Sequence, residues 1–430
     1  MDVIQVREYA KLIKSERSRN STLDEAYISE TAFEFLAALI EQEKLAGTIF
    51  LDYIKLGSQV GYLETADLGI EILPKMALHT ADHQHDQLRE LLHKMISVVF
   101  QVRSKEMHSA HLVRNRLPLH EWIYQQFLNE LQVLLRKGLK GDYERVARTE
   151  KFMRGRLDIR QVMRRKVGQD HLFPVEYDAF NFNRLENRLI KTALTDLFKH
   201  TKNRENWRIA NEMMQRLSDL ETVHSAHLQL NQWQEHKLMQ RYRAIFPWCR
   251  LILEKMNPHF QQGQHKGIAL LFPMEKLFEA YVGDYLKRNC VNYDVQTQEQ
   301  KHHLVMHQGQ GYFQLKPDFV LRHQLSDQLI IADSKWKMID ESKGNRTDKY
   351  GIAQSDLYQM FAYGYQYQKD NQVNCQNIIL VYPYHEKFTA TLPVFDFHSE
   401  NLKLWAVPFK LWTCDAGKEG LIVSGEFFNL

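Results

Sequence analysis

Two apolar runs that abut carboxylates, Asp318-Phe319-Val320-Leu321 and Ile330-Ile331-Ala332-Asp333, constrain this chain more than any other feature. Each run is short and β-branched or aromatic, so it reads as a buried strand and not as an amphipathic helix. Side chains at i and i+2 of a strand share a face, so Asp333 and Lys335 project together. A turn around Ser326-Asp327 would bring Asp318 alongside them in an antiparallel hairpin. Pro317 has no amide hydrogen for a ladder, which suits a bend just before Asp318. Buried carboxylates are costly unless a cation compensates them. Two Asp oxygens suit Mg²⁺, with Mn²⁺ able to substitute, because such an ion keeps waters and accepts substrate phosphate. It would lower the pKa of a bound water and offset charge building on the phosphate, with Lys335 holding that water or stabilising the extra charge. The plainer reading of the same residues is a hairpin with an internal Asp–Lys ion pair.

The flanking segments add to the first reading. A helix is expected from Pro273, with Leu277, Phe278, Tyr281, Val282, Tyr285 and Leu286 as its apolar stripe. Glu279 sits on its flank, where a further carboxylate ligand would enter. Strands are expected over 312–321, 328–336 and 377–382, with a helix over 353–368 between the last two. On that helix Asp356, Gln359 and Tyr363 share a face, and Gln354 precedes them. Gln359 would orient water or hold the nucleic-acid backbone, with Gln354 a weaker candidate. The alternative for Asp356 is helix capping, and for Tyr363 it is packing. Helix, hairpin, helix and strand make a mixed α/β domain over 261–430, expected to bury its own core.

The 430 residues allow two or three domains. Residues 1–78 read as a β-containing segment, with a helix over 32–40 and a hairpin of 59–65 with 70–75 around Asp67 and Gly69. Residues 79–260 read as mainly helical, with apolar stripes through Leu88–Val99, Trp122–Leu135 and Leu185–Leu197. The net charge of +3 excludes a histone-like polycation. One local excess stands out: twelve basic residues against four acidic ones between Arg136 and Lys166. Such a density suits phosphate, a partner protein or plain solvation. His79, His83 and His85 have helical spacing but no further ligand, which argues against zinc. His302, His303 and His307 read as solvent-facing. Four scattered cysteines without a CxxC pair, a polar N-terminus and no run of about 18 apolar residues suggest a reducing, cytoplasmic setting and no membrane span. There is no GxxxxGK[ST] segment for a nucleotide phosphate, and no GxSxG for a serine hydrolase.

The Pro-Asp, fourteen residues, Asp-x-Lys pattern resembles the PD-(D/E)xK nuclease motif. Together with Leu270–Val282, Asp356–Tyr363, the Ile70-Glu71-Ile72-Leu73-Pro74-Lys75 stretch and the Leu185-Glu186-Asn187-Arg188-Leu189-Ile190-Lys191 helix, it is similar to the McrC family. The resemblance covers about residues 59–385. It implies the nuclease subunit of an McrBC-type, modification-dependent restriction system: a Mg²⁺-dependent endonuclease acting on double-stranded, methylcytosine-containing DNA. It implies docking on a hexameric, McrB-like AAA+ GTPase, with the N-terminal 1–78 region as a finger-like projection that stimulates GTP hydrolysis. The implied fold is α+β: an N-terminal partner-binding region, a helical middle and a restriction-endonuclease-like C-terminal domain. The implied site is Asp318, Asp333 and Glu279 for metal, with Lys335 and Gln359 assisting. Two other readings remain open, a stand-alone repair or recombination nuclease and a noncatalytic activator of an AAA+ motor.

Overall fold

In the computed structural model the described residues are 2–15, 21–65, 67–76, 84–100, 117–164, 168–169, 171–234, 236–255, 261–262, 265–266, 269–326, 328–369, 374–397, 401–411 and 419–422. The chain is mixed α+β and divides into two compact units, residues 1–116 with 262–430, and residues 117–261. The expected 1–78 and 261–430 segments therefore share a unit, and the helix Gln84–Val99, expected in the middle segment, belongs to it too. Among the described residues no helix is long and apolar enough to cross a membrane.

Strand pairing explains the shared unit. The expected hairpin is the antiparallel pair Gln59–Glu64 and Leu68–Leu73. Asp2–Arg7 adds to it in parallel, and Ala269–Pro273 closes the other edge against Gln59–Glu64. Gly61 lets that last strand approach. Its φ is +141°, and a Cβ there would collide with the Leu270 carbonyl oxygen. Arg89, on the Gln84–Val99 helix, pairs with the fully buried Glu71 at 2.5 Å, so neither charge is buried alone.

The same unit carries a seven-stranded sheet. Tyr293–Thr297, Phe319–His323 and Gln328–Ser334 are antiparallel neighbours; Asn374–Pro383 and Leu402–Lys410 continue the sheet in parallel. Phe395–Phe397 and Gly420–Leu421 both pair with Leu402–Lys410. A parallel neighbour needs a crossover, and the helix Gln354–Gln368 supplies it. Alternation along the strands buries both faces. Val320, Ile331, Ile378 and Leu404 pack with Met360, Tyr363 and Tyr367 of that helix. On the other face Phe319 sits under Gly283, while Phe278 and Tyr281 meet the Phe409 ring edge-on. These three residues belong to the helix Met274–Asn289, which starts behind Pro273 as expected. The expected 312–321 strand is two strands, Gln310–Gln314 and Phe319–His323, broken at the segment holding Pro317.

In the second unit the helices Leu119–Lys137, Leu185–His200, Arg204–Arg216 and Phe246–Lys255 form the core, with Trp122 edge-on to Trp248. The expected helical character misses a three-stranded antiparallel sheet: Asp142–Glu150 and Arg156–Leu157 flank Phe173–Asn181. Asp142–Glu150 splits Tyr143, Val146 and Ala147 between its two faces and is exposed along most of its length, so no apolar period marks it. Most of the basic stretch lies on this sheet and beside it; Arg165 and Lys166 fall outside the described residues.

Candidate active site

The Phe319–His323 and Gln328–Ser334 strands pair with Phe319 opposite Ala332, which sets Asp318 opposite Asp333. Asp327, in the turn between them, lies outside the described residues. Asp318 Oδ2 accepts from the Ser334 amide and the Ser334 hydroxyl, both at 2.8 Å. Ser334 is the variable residue of Asp-x-Lys, and sequence reasoning passed over it. Its small hydroxyl directly beside a strand carboxylate was the available signal. The Lys335 amide donates to Val381 O at 2.9 Å, which anchors the end of the strand to its parallel neighbour.

Asp333 and Lys335 project together, with Lys335 Nζ 2.7 Å from Asp333 Oδ2. Apart from that ammonium, the buried Oδ2 meets no donor among the described residues. Lys335 Nζ also donates to Gln359 Oε1 at 3.0 Å. Gln359 Nε2 in turn donates to the Tyr363 hydroxyl at 2.7 Å, and that hydroxyl donates to Lys316 O at 3.1 Å. A continuous chain thus links the lysine to the segment leading into Asp318.

The remaining candidates fall in different places. Glu279 Oε1 accepts from Gln298 Nε2 at 2.6 Å, and the Gln298 amide donates to Asp318 O at 2.9 Å. Asp356 does not cap its helix. The N-cap is Ala353, and Asp356 accepts from Lys337 Nζ at 2.8 Å. Gln354 donates to the Tyr358 hydroxyl. His79 and His83, and the side chain of His85, lie outside the described residues.

Burial dominates the electrostatics. It raises the pKa of Asp333, and the Asp318 charge raises it further against the opposing pull of Lys335. Burial raises Asp318 too, while the Ser334 amide and hydroxyl pull it back. Glu279 is raised by burial and then by Asp318. Burial works against the charge on Lys335, but Asp333 and Asp318 lift its pKa above the ordinary value. Lys335 therefore stays an ammonium at neutral pH and serves as a donor, not as a base.

The buried Asp333 and the half-buried Asp318, with one Asp333 oxygen met only by the Lys335 ammonium, form an all-oxygen set that fits a hard cation. No cluster of three or more His, Cys, Asp or Glu side chains is assembled for a metal among the described residues. The preformed set is the Asp318–Asp333 pair, with Glu279 tied to Gln298.

This fold is found in solved structures of McrBC assemblies. A chain in the refined half-complex from a tetradecameric assembly of Thermococcus gammatolerans McrB AAA+ hexamers with bound McrC matches with a TM-score of 0.69 at 18% identity, over 95% of this chain and 94% of that one. A chain in the cryo-EM structure of the T. gammatolerans McrBC complex matches with a TM-score of 0.51 at 20% identity, over 68% and 89%. Residues 54–383 match the family model of the McrBC 5-methylcytosine restriction system component, and the chain belongs to that family as an McrC-like protein. It is also 22% identical over 262 residues to the type IV methyl-directed restriction enzyme EcoKMcrBC of Escherichia coli (strain K12), a match spanning 58% of this chain and 73% of that relative.

Proposed function

We propose that this chain is the endonuclease subunit of a GTP-dependent, McrBC-type restriction complex, hydrolysing phosphodiester bonds in modified DNA while docked on an McrB-like AAA+ GTPase hexamer. The observation that carries the reading is the facing pair Asp318 and Asp333 with the Lys335 ammonium 2.7 Å from Asp333. Helix Met274–Asn289, the three antiparallel strands, helix Gln354–Gln368 and strand Asn374–Pro383 read as the PD-(D/E)xK core around it.

Asp318 and Asp333 would hold Mg²⁺, with Glu279 completing or tuning the set. When bound, the ion supplies charge compensation at the phosphate and acidifies a coordinated water. Lys335 donates toward the attacking water or the phosphate oxygen on which charge accumulates. Gln359, held by Tyr363, fixes the direction of that ammonium. Ser334 holds Asp318 in place with two hydrogen bonds, so the pair is set before substrate arrives.

Recognition of the modified base and translocation would belong to the partner. Residues 1–78 are the proposed motor contact, and the basic sheet of the second unit is the alternative. The test is co-purification with an McrB-like GTPase, followed by a cleavage assay on methylcytosine-containing duplex. Cleavage should require both GTP and Mg²⁺. Cleavage without the GTPase would favour a stand-alone nuclease, and GTPase stimulation without any cleavage would favour a noncatalytic activator.

A further inference from the structure

Between Thr297 and Phe319 the seven-stranded sheet is interrupted by a separate ribbon, His303–His307 paired antiparallel with Gln310–Gln314. Its turn residues Gln308 and Gly309 have φ of +50° and +79°, the pattern of a tight two-residue hairpin turn. Both feet of the ribbon stand at the carboxylate end of the sheet. Thr297 faces Phe319, the Gln298 amide bonds the Asp318 carbonyl, and only Leu315, Lys316 and Pro317 separate the ribbon from Asp318. The ribbon is also braced. Gln366 donates to Leu304 O at 3.0 Å, and the Leu315 amide donates to His302 O at 2.8 Å.

Its surface is unusual for a ribbon facing water. Met306 is 69% exposed, Phe313 74% and Tyr312 44%. Exposed apolar groups clustered in this way mark a contact surface. Phe313 also has φ of +56°, a left-handed conformation that costs a bulky side chain roughly 1–3 kcal/mol. With its ring in solvent, no core packing offsets that strain. Finally, no Asp or Glu occurs from Gln300 to Pro317, although the chain has 53 of them, while Lys301, His303, His307 and Lys316 lie in or beside the ribbon.

We infer that this ribbon grips duplex DNA beside the scissile phosphate, laying its strands in a groove with Phe313 and Met306 against the bases; this rests on the nuclease reading of the adjacent carboxylates. Five-residue strands extend about 17 Å. A two-stranded ribbon fits the roughly 12 Å major groove, where an apolar side chain such as Phe meets the thymine methyl. Duplex DNA is favoured over a protein partner because the ribbon lacks acids and runs directly into the candidate site.

The test is duplex binding to the full chain, alone and with its GTPase partner, measured by fluorescence anisotropy without divalent metal. Phe313→Gly relieves the backbone strain, so its thermal midpoint should equal or exceed that of the unmodified chain. Its DNA affinity should nevertheless fall at least about fivefold, and Phe313→Trp should retain affinity. Unchanged affinity in Phe313→Gly overturns the inference, as does failure of the unmodified chain to bind duplex in either form. A variant that loses affinity only together with a change of mass in sedimentation assigns the ribbon to contact with a second copy, which also overturns it. The nuclease reading is judged separately. If affinity falls in Phe313→Gly but the complete complex never cuts DNA, the ribbon stands and the nuclease reading fails; cutting with unchanged affinity gives the reverse.

Discussion

The Glu8 carboxylate accepts a 2.7 Å hydrogen bond from the indole N–H of Trp336, 328 residues further along the chain. The same Oε1 accepts from the Lys75 amide at 2.8 Å. Trp336 directly follows Lys335, so the N-terminal strand buttresses the segment that carries the proposed lysine. Deleting residues 1–78 also removes the strand that pairs with Ala269–Pro273. The C-terminal segment has a buried cluster made of its own residues, from Leu315 to Ala406, and shares further packing with residues 1–78. The truncated chain should unfold at a markedly lower temperature than the full chain, not merely lose partner stimulation. An unchanged thermal midpoint would contradict the shared packing.

Burial pushes the Glu8 carboxyl up to about 7 from an ordinary 4.5, against the opposing hydrogen bonds from Lys75 and Trp336. The neutral form is therefore favoured by folding. Its stabilisation is complete below the unfolded value of 4.5 and is lost as pH rises through about 7. Glu8→Gln stays neutral throughout. Calorimetric unfolding should show the variant gaining on the unmodified chain by about 3 kcal/mol across that window. Parallel stability curves would show that folding leaves the Glu8 pKa at its ordinary value.

Gln359 and Tyr363 act on Lys335 in sequence, so their variants should be graded. Gln359→Leu leaves the ammonium without its 3.0 Å acceptor and should slow single-turnover cleavage about 10–100-fold. Tyr363→Phe removes only the clamp on Gln359 and should cost less. A larger loss in Tyr363→Phe than in Gln359→Leu would reverse the proposed order.

Gly61→Ala tests the strand pairing that closes the first unit. The added Cβ meets the Leu270 carbonyl oxygen, and φ of +141° is strained for any other residue. Denaturant unfolding should show a loss on the order of 1–3 kcal/mol. A change within a few tenths would mean that Ala269–Pro273 does not pack tightly there.

The carboxylate hairpin was legible because the apolar runs on both sides of it admit one strand register. The helix behind Pro273 was legible because Leu277, Phe278, Tyr281 and Val282 repeat at helical spacing and are all buried. The Asp142–Glu150 strand was hidden because Tyr143, Val146 and Ala147 do not gather on one face and most of the strand is exposed. The His303–Gln314 ribbon was hidden because it is solvated and its turn is Gln-Gly instead of Asn-Gly. The Glu8–Trp336 bond joins positions too distant for any local pattern to reveal. Ser334 escaped notice because the residue types of the motif draw attention to its neighbours.

The most direct measurement compares Asp333→Asn and Lys335→Ala with the unmodified chain in the assembled complex, following DNA cleavage and GTP hydrolysis together. Asn keeps the shape of Asp333 but removes the charge that would hold Mg²⁺, and Ala removes the donor 2.7 Å away. Both variants should assemble with the GTPase and stimulate its hydrolysis fully, while cleavage falls to background. Cleavage at the unmodified rate by both variants would contradict the assignment of this hairpin as the nuclease centre.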